Sequence, residues 1–460
     1  MTATRLKPGD TIDSFTVESV VPAGAMARVY RVSHPARRQF GMVLKQPRLG
    51  GDDAEFLLGF ETELAILPAL TGPHAPRFVT AGDLERAPYL VMEWVDGQPL
   101  AQELQRAPLP ADEVAWFGAL VADALHDLHR QDVIHLDLKP DNIVIRHSGI
   151  ATLLDFGLAH HARFPDLHLE EQRFAAGSAP YVSPEQVLGV RGDARSDLFA
   201  LGVVLYELAT ARLPFGVPRS MAGMRDRLWR MPIPPCVRVP SVPPWLQEII
   251  LRCLEPDPAA RYPSAAQLAF ALRHPESVAI SQRGWRRTGP GLAEQAGRWW
   301  RARHIQPARK RLPNLLSGEA PIIMVALDAG NPDDPRHEAL QRNAKLIFSA
   351  GDFRLVLVSV IPVDLERSES AQLRHRVWMR HWCDPLGLAR NKISLHVLEA
   401  ADPANALLDF ARTNLVDLIV LGAPGPHEAP LGWWRSVASS VTALAHCSVH
   451  VVRVPTESRG

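Results

Sequence analysis

The chain has 460 residues, of which fifty are basic and fifty acidic, so no bulk charge draws it to nucleic acid. Cys236, Cys253, Cys383 and Cys447 stand far apart with no C-x-x-C pairing, which disfavours a zinc site or a disulfide framework. The start, Met1-Thr2-Ala3-Thr4-Arg5, leads into no apolar run of the kind a secretion signal needs, and the length leaves material for two cores; the expectation is a cytoplasmic protein.

In chain order, Val43-Leu44-Lys45 is a strand-type run ending on a lysine. A helical stretch follows, with Phe60-Glu61-Thr62-Glu63 ahead of an end marked by Leu70-Thr71-Gly72-Pro73-His74. Leu90-Val91-Met92-Glu93-Trp94-Val95 is another apolar run, closed by Asp96-Gly97. The densest chemistry comes next, in His135-Leu136-Asp137-Leu138-Lys139-Pro140-Asp141-Asn142. Two β-rich runs, Ile143-Val144-Ile145 and Thr152-Leu153-Leu154, then lead to Asp155-Phe156-Gly157, thirteen residues after Asn142. Phosphoryl transfer needs these parts: a carboxylate to orient a hydroxyl, a lysine for the moving phosphate, and an amide and a second carboxylate for magnesium.

On this series of motifs, residues 1–275 resemble a bacterial eukaryotic-like Ser/Thr protein kinase, which implies a bilobal α+β fold using ATP and Mg2+. The resemblance makes Lys45 the residue that pairs with the α- and β-phosphates. Glu63 is its expected salt-bridge partner, with Glu61 as fallback. It places Met92 at the gatekeeper position and the backbones of Glu93 and Val95 at the adenine edge. Asp137 becomes the catalytic carboxylate, with Lys139 beside it and Asn142 and Asp155 holding the metal. A lysine two places after the catalytic aspartate marks Ser/Thr acceptors. Gly177-Ser178-Ala179-Pro180-Tyr181-Val182-Ser183-Pro184-Glu185 resembles the end of an activation segment, Asp197 the aspartate beneath the catalytic loop, and Arg261 the ion-pair partner of Glu185.

Two departures bear on activity. Counting back from Val29, the glycine-rich loop would place its glycines at Pro22, Gly24 and Ala27, so only Gly24 survives to approach the phosphates. Leu136 replaces the arginine that would read a loop phosphate, and residues 158–176 contain no Ser, Thr or Tyr. The two changes agree on a kinase independent of activation-loop phosphorylation. Glu170 and Glu171 offer permanent negative charge there, although such a loop pair is ordinarily solvated. The alternative is a pseudokinase, a nucleotide-responsive scaffold.

Residues 276–320 read as a linker. Between Arg283 and Arg311 nine basic residues face one acid, Glu294, with Trp285, Trp299 and Trp300 interleaved. That composition is compatible with peripheral membrane contact, but an arm packing its tryptophans on a neighbouring domain is preferred. No transmembrane span is expected, and a homodimer is compatible with the sequence.

From Pro321 the pattern becomes βα alternation, with buried-strand runs at 322–327, 354–360, 394–398, 418–421 and 449–452. Residues 321–455 resemble the universal stress protein family, implying a parallel five-stranded α/β sandwich. In its nucleotide-binding members an aspartate ends the first strand and a G-x2-G-x9-G-(S/T) loop follows the fourth. Here Asp328, Gly422, Gly425 and Ser436 match, while Arg435 stands at the last glycine.

Overall fold

The computed structural model describes residues 5–22, 27–47, 53–82, 88–171, 177–302, 320–349, 351, 353–361, 363, 368–423 and 437–453. The N-terminal part is a six-stranded antiparallel sheet in the order Thr11–Ile12, Phe15–Val21, Ala27–His34, Arg37–Pro47, Leu90–Glu93, Phe78–Ala81. Strand alternation decides what each face carries. Val17, Tyr30, Val32, Met42, Leu44 and Val91 form an outer core on one face. The register Val29↔Lys45↔Leu90 and Val43↔Met92 therefore turns Val29, Lys45 and Met92 to the other face, toward the cleft.

Helices build the second lobe. The Ala111–Arg130 helix is amphipathic and buries Val114, Phe117, Val121, Leu125 and Leu128. The Arg195–Thr210 helix is apolar nearly all round, and it occupies the centre of the lobe against Pro244–Cys253 and Ala111–Arg130. Behind it, short helices at Gln282–Trp285 and Leu292–Ala302 lie on the helical lobe. Arg283 pairs with Glu248 at 2.8 Å and Arg298 with Glu255 at 3.4 Å. The expectation that this arm packs through its tryptophans needs correction: Trp285, Trp299 and Trp300 remain 48–58% exposed while the arginines reach the lobe. No helix among the described residues is long and apolar enough to cross a membrane.

The C-terminal part is a parallel five-stranded sheet in the order Ile393–Glu399, Arg354–Ile361, Ile322–Ala326, Leu418–Gly422, Ser448–Val452. Continuous apolar runs supply both faces, as a sheet covered on two sides requires. Val325, Leu355, Leu357 and Val420 enter one core, and Met324, Val356, Val358 and Ile419 enter the other.

Candidate active site

Lys45 lies between two carboxylates, 2.6 Å from Glu63 Oε2 and 2.8 Å from Asp155 Oδ1. Burial works against its ammonium, but Asp155 and Glu63 outweigh it and hold the lysine pKa above the usual range. Lys45 in turn draws the Asp155 carboxyl down to about 2. Glu63 comes from the Asp53–Ile66 helix, which approaches the Asp155-Phe156-Gly157 turn closely: a Cβ built on Gly157 would meet the Gly59 carbonyl oxygen at 3.2 Å. Phe156 is fully buried against the His135 ring, and its amide donates to Glu63 Oε1 at 3.4 Å. Of the two candidate glutamates, Glu63 meets Lys45; Glu61 faces away from it, toward Arg376.

Asp137 is held from three directions. The Ser178 amide donates to Oδ1 at 2.7 Å, Lys139 Nζ to Oδ2 at 2.8 Å, and Asn142 Nδ2 to the main-chain oxygen at 2.9 Å and Oδ2 at 3.2 Å. Lys139 also reaches Ser178 Oγ at 2.8 Å. Beneath this loop, buried Asp197 accepts from the His135 and Leu136 amides at 2.9 Å each and pairs with His129 at 2.9 Å. Burial alone would raise the Asp197 carboxyl, yet these partners, His129 foremost, bring it below its usual value. They fix the loop while Leu136 takes a left-handed φ of 61°. Leu136 is buried, its carbonyl accepting from Gln186 at 2.9 Å.

Asn142 and Asp155 are hard oxygen ligands of the kind magnesium takes when substrate phosphates supply the rest. The hydrogen bonds to Asp137 engage Nδ2 of Asn142, leaving its amide oxygen for a cation. No cluster of three or more acidic, His or Cys ligands occurs among the described residues, and a site of this kind needs none. Met92 is half-buried, Val95 is buried, and the Glu93 side chain pairs with Arg146 at 2.7 Å. Gly24 lies outside the described residues, as do Gly425, Arg435 and Ser436 in the second domain.

Sequence reasoning assigned no role to Ser178 or to the brace of the activation segment. Asp166 caps the Leu167–Glu170 turn, pairs with Arg191 at 2.9 Å and meets His160 at 3.0 Å, and Arg191 also donates to the Leu158 carbonyl at 2.8 Å. Burial would raise the Asp166 carboxyl, but Arg191 and His160 hold it far below the carboxylate range. A permanent ion pair thus orders a segment that lacks a phosphate acceptor.

His168 lies inside the same turn, fully buried, with Nε2–H donating to the Gly157 carbonyl at 2.8 Å and Nδ1 without a hydrogen-bond partner. Burial first, then Arg191, push its pKa down to about 4. The unfolded chain takes up a proton below the ordinary value near 6.5, and the folded chain does not until about 4. Stability from this group is therefore complete above pH 6.5 and lost as pH falls toward 4. Between pH 7 and pH 5 wild type should lose about 2 kcal/mol that a His168→Asn variant retains. Urea unfolding of both at the two pH values checks this, and identical pH slopes would refute it.

In the second domain, Asp328 lies exposed just past Ile322–Ala326, beside a cavity of about 290 Å3 lined by Arg336, His337, Val358, Leu407 and Gly422 among others. The cavity sits at the carboxyl ends of Ile322–Ala326 and Leu418–Gly422, where the strand order reverses and open α/β sheets take ligands. Arg336 forms part of the wall: a Cβ on Gly422 would meet its Cδ at 3.1 Å, and Asp334 holds its Nε at 2.7 Å.

The protein kinase domain model matches residues 15–274, and the universal stress protein family model matches residues 320–453. Serine/threonine-protein kinase Pkn1 of Myxococcus xanthus is 34% identical over 315 residues, covering 61% of this chain and 45% of that protein. Serine/threonine-protein kinase PksC of Streptomyces coelicolor is 31% identical over 261 residues, covering 55% and 47%. The chain thus spans less than half the length of these two curated relatives. A crystal structure of the Mycobacterium tuberculosis PknI kinase domain is similar with a TM-score of 0.47 and 27% identity, over 59% of this chain and all of that one.

Proposed function

Because the chain belongs to the protein kinase domain family and carries a universal stress protein domain behind it, we propose that it transfers the γ-phosphate of ATP to Ser or Thr hydroxyls of protein substrates in the cytoplasm. The kinase unit is residues 1–275, the basic arm 276–320, and the stress-protein-like unit 321–455, which regulates the first. The observation that carries this reading is the charge arrangement: Lys45 bonded to Glu63 and Asp155, with Asp137 held by Lys139, Asn142 and Ser178.

Asp137 is fixed so that a substrate hydroxyl can be oriented and its proton accepted, and Lys139 places an ammonium beside that carboxylate for the transferring phosphate. Lys45, kept charged by its two carboxylates, holds phosphate oxygens. Magnesium, held by Asn142 and Asp155, would neutralise charge on the phosphates. Placement of charge rather than covalent chemistry supplies most of the rate in this reaction class. The cavity beside Asp328 and Gly422 is the second domain's candidate nucleotide site.

A phosphatase-treated full chain given radiolabelled ATP, magnesium and a basic protein acceptor should label Ser or Thr without a lag, and Asp137→Asn should not. The activation segment has its ionic brace already, and residues 158–176 hold no acceptor. A lag removed by prior incubation with ATP and mapped to that segment would contradict the regulatory part. No label above the Asp137→Asn background would favour a pseudokinase scaffold, the reading suggested by loss of two loop glycines.

A further inference from the structure

Glu170 and Glu171, expected to be solvated, are instead covered by the second domain. Arg376, on the Ser368–Cys383 helix, is 2% exposed and bridges two elements of the kinase unit: its guanidinium lies 2.7 Å from Glu61 Oε2 and 2.6 Å from Glu171 Oε1. A third bond runs to the Leu395 carbonyl at 3.0 Å, and Arg380 adds a contact of 3.3 Å to Glu61 Oε1. His396 meets Glu170 Oε2 at 2.6 Å and Glu171 Oε1 at 3.2 Å. Arg354 pairs with Glu170, and Asn414 Nδ2 donates to the Glu170 carbonyl at 3.4 Å.

Glu61 and Glu63 stand two residues apart on one helix, roughly 200° around its axis. One carboxylate therefore faces inward to Lys45 while the other faces outward to Arg376. The same helix lies against the Gly157 turn, so its rotation or withdrawal would move Glu63 away from Lys45. An arginine at position 136 would have held a phosphate on the activation segment; this chain has Leu136 and no acceptor in 158–176, so no phosphate in that segment orders it. The Arg376 guanidinium, shared between Glu61 and Glu171, ties the helix to that segment without phosphorylation.

We infer that the stress-protein-like domain is an activating clamp on the kinase unit, and that Arg376 is its positioning residue, tying the Asp53–Ile66 helix to the activation segment in the arrangement that presents Glu63 to Lys45. This rests on the kinase reading above. The clamp surface is acidic on the kinase side, through Glu61, Glu170 and Glu171, and cationic on the other, through Arg354, Arg376 and Arg380, while burial holds the His396 pKa below its ordinary value and leaves its ring as a hydrogen-bonding partner. Removing Arg376 leaves Glu61 and Glu171 facing each other without their shared cation.

The test uses the full chain with Arg376→Gln, Arg376→Lys, Glu61→Gln and the double variant Glu61→Gln/Arg376→Gln. Arg376→Gln should lower kcat/KM for ATP at least about tenfold, with a rise in KM because Lys45 loses its orienting partner, and Arg376→Lys should recover part of that loss. Hydrogen exchange should quicken in residues 53–66 of Arg376→Gln. The double variant should lose less than the product of the two single losses, since both act through one contact. Unchanged exchange over 53–66, or strictly multiplicative losses, would overturn the clamp. Faster exchange confined to residues 393–399 would do the same, showing a role within the second domain only. Exchange needs no catalysis, so a wild type without phosphotransfer would count against the kinase reading while the clamp was still decided.

Discussion

Lys45→Ala or Asp155→Ala should each reduce phosphotransfer by more than about a hundredfold, the scale on which single preorganised charges act in such sites. The two residues touch each other at 2.8 Å but do different work. In the proposed reaction Lys45 gives a cation to phosphate oxygens, and its alanine leaves Glu63 and Asp155 without the charge between them. Lys45 draws the Asp155 carboxyl down to about 2, so loss of Asp155 removes the carboxylate proposed to hold magnesium and the contact that orders the lysine. Because the pair acts as a unit, the double variant should be little worse than either single one. Radiolabel transfer at saturating and subsaturating ATP measures this, and undiminished labelling by both single variants would show the site to be misassigned.

What the sequence made legible follows from the range over which its signals act. The motif Val43-Leu44-Lys45 placed Lys45 through the resemblance it carries, and strand alternation explains why the placement holds: with Met42 and Leu44 in the outer core, Lys45 faces the cleft. The apolar runs beginning at Ile322, Arg354 and Leu418 disclosed a parallel sheet because few other folds bury both faces of so many short strands. The choice of Glu63 over Glu61 was also local, resting on helical position relative to the Leu70–His74 end. Pairings marked by neither a period nor a family motif were missed. Asp166 and Arg191 lie 25 residues apart in irregular chain, and Arg376 meets Glu61 across 315 residues and a linker. The same blindness made Glu170 and Glu171 look solvated, since a loop carboxylate reads alike whether water or an arginine faces it. The tryptophans misled in the opposite sense: large apolar side chains suggested burial, yet Trp285, Trp299 and Trp300 stay 48–58% exposed while Arg283 and Arg298 pair with carboxylates of the lobe.

Arg261→Ala should lower the stability of the helical lobe by about 3–5 kcal/mol, the cost of leaving one member of a buried ion pair uncompensated. The Arg261 guanidinium meets Glu185 through both arms, at 2.7 Å and 2.8 Å, and donates to the carbonyls of Arg195 and Glu255 at 2.8 Å each. Ser196 Oγ completes Glu185 with a bond of 2.7 Å to Oε1. One side chain therefore joins the end of the activation segment to the start of the Arg195–Thr210 helix and to the turn after Pro244–Cys253. Lysine cannot replace the fork, so Arg261→Lys should recover less than half of the loss. Neither residue touches the Asp137 or Lys45 constellation, so molecules that remain folded at low temperature should keep their KM for ATP. Urea unfolding followed by tryptophan fluorescence, together with KM measured well below the transition, separates the two roles. An unshifted midpoint would remove Arg261 from the stabilising set, whereas a raised KM with an unshifted midpoint would instead place the pair in the path that positions the catalytic loop.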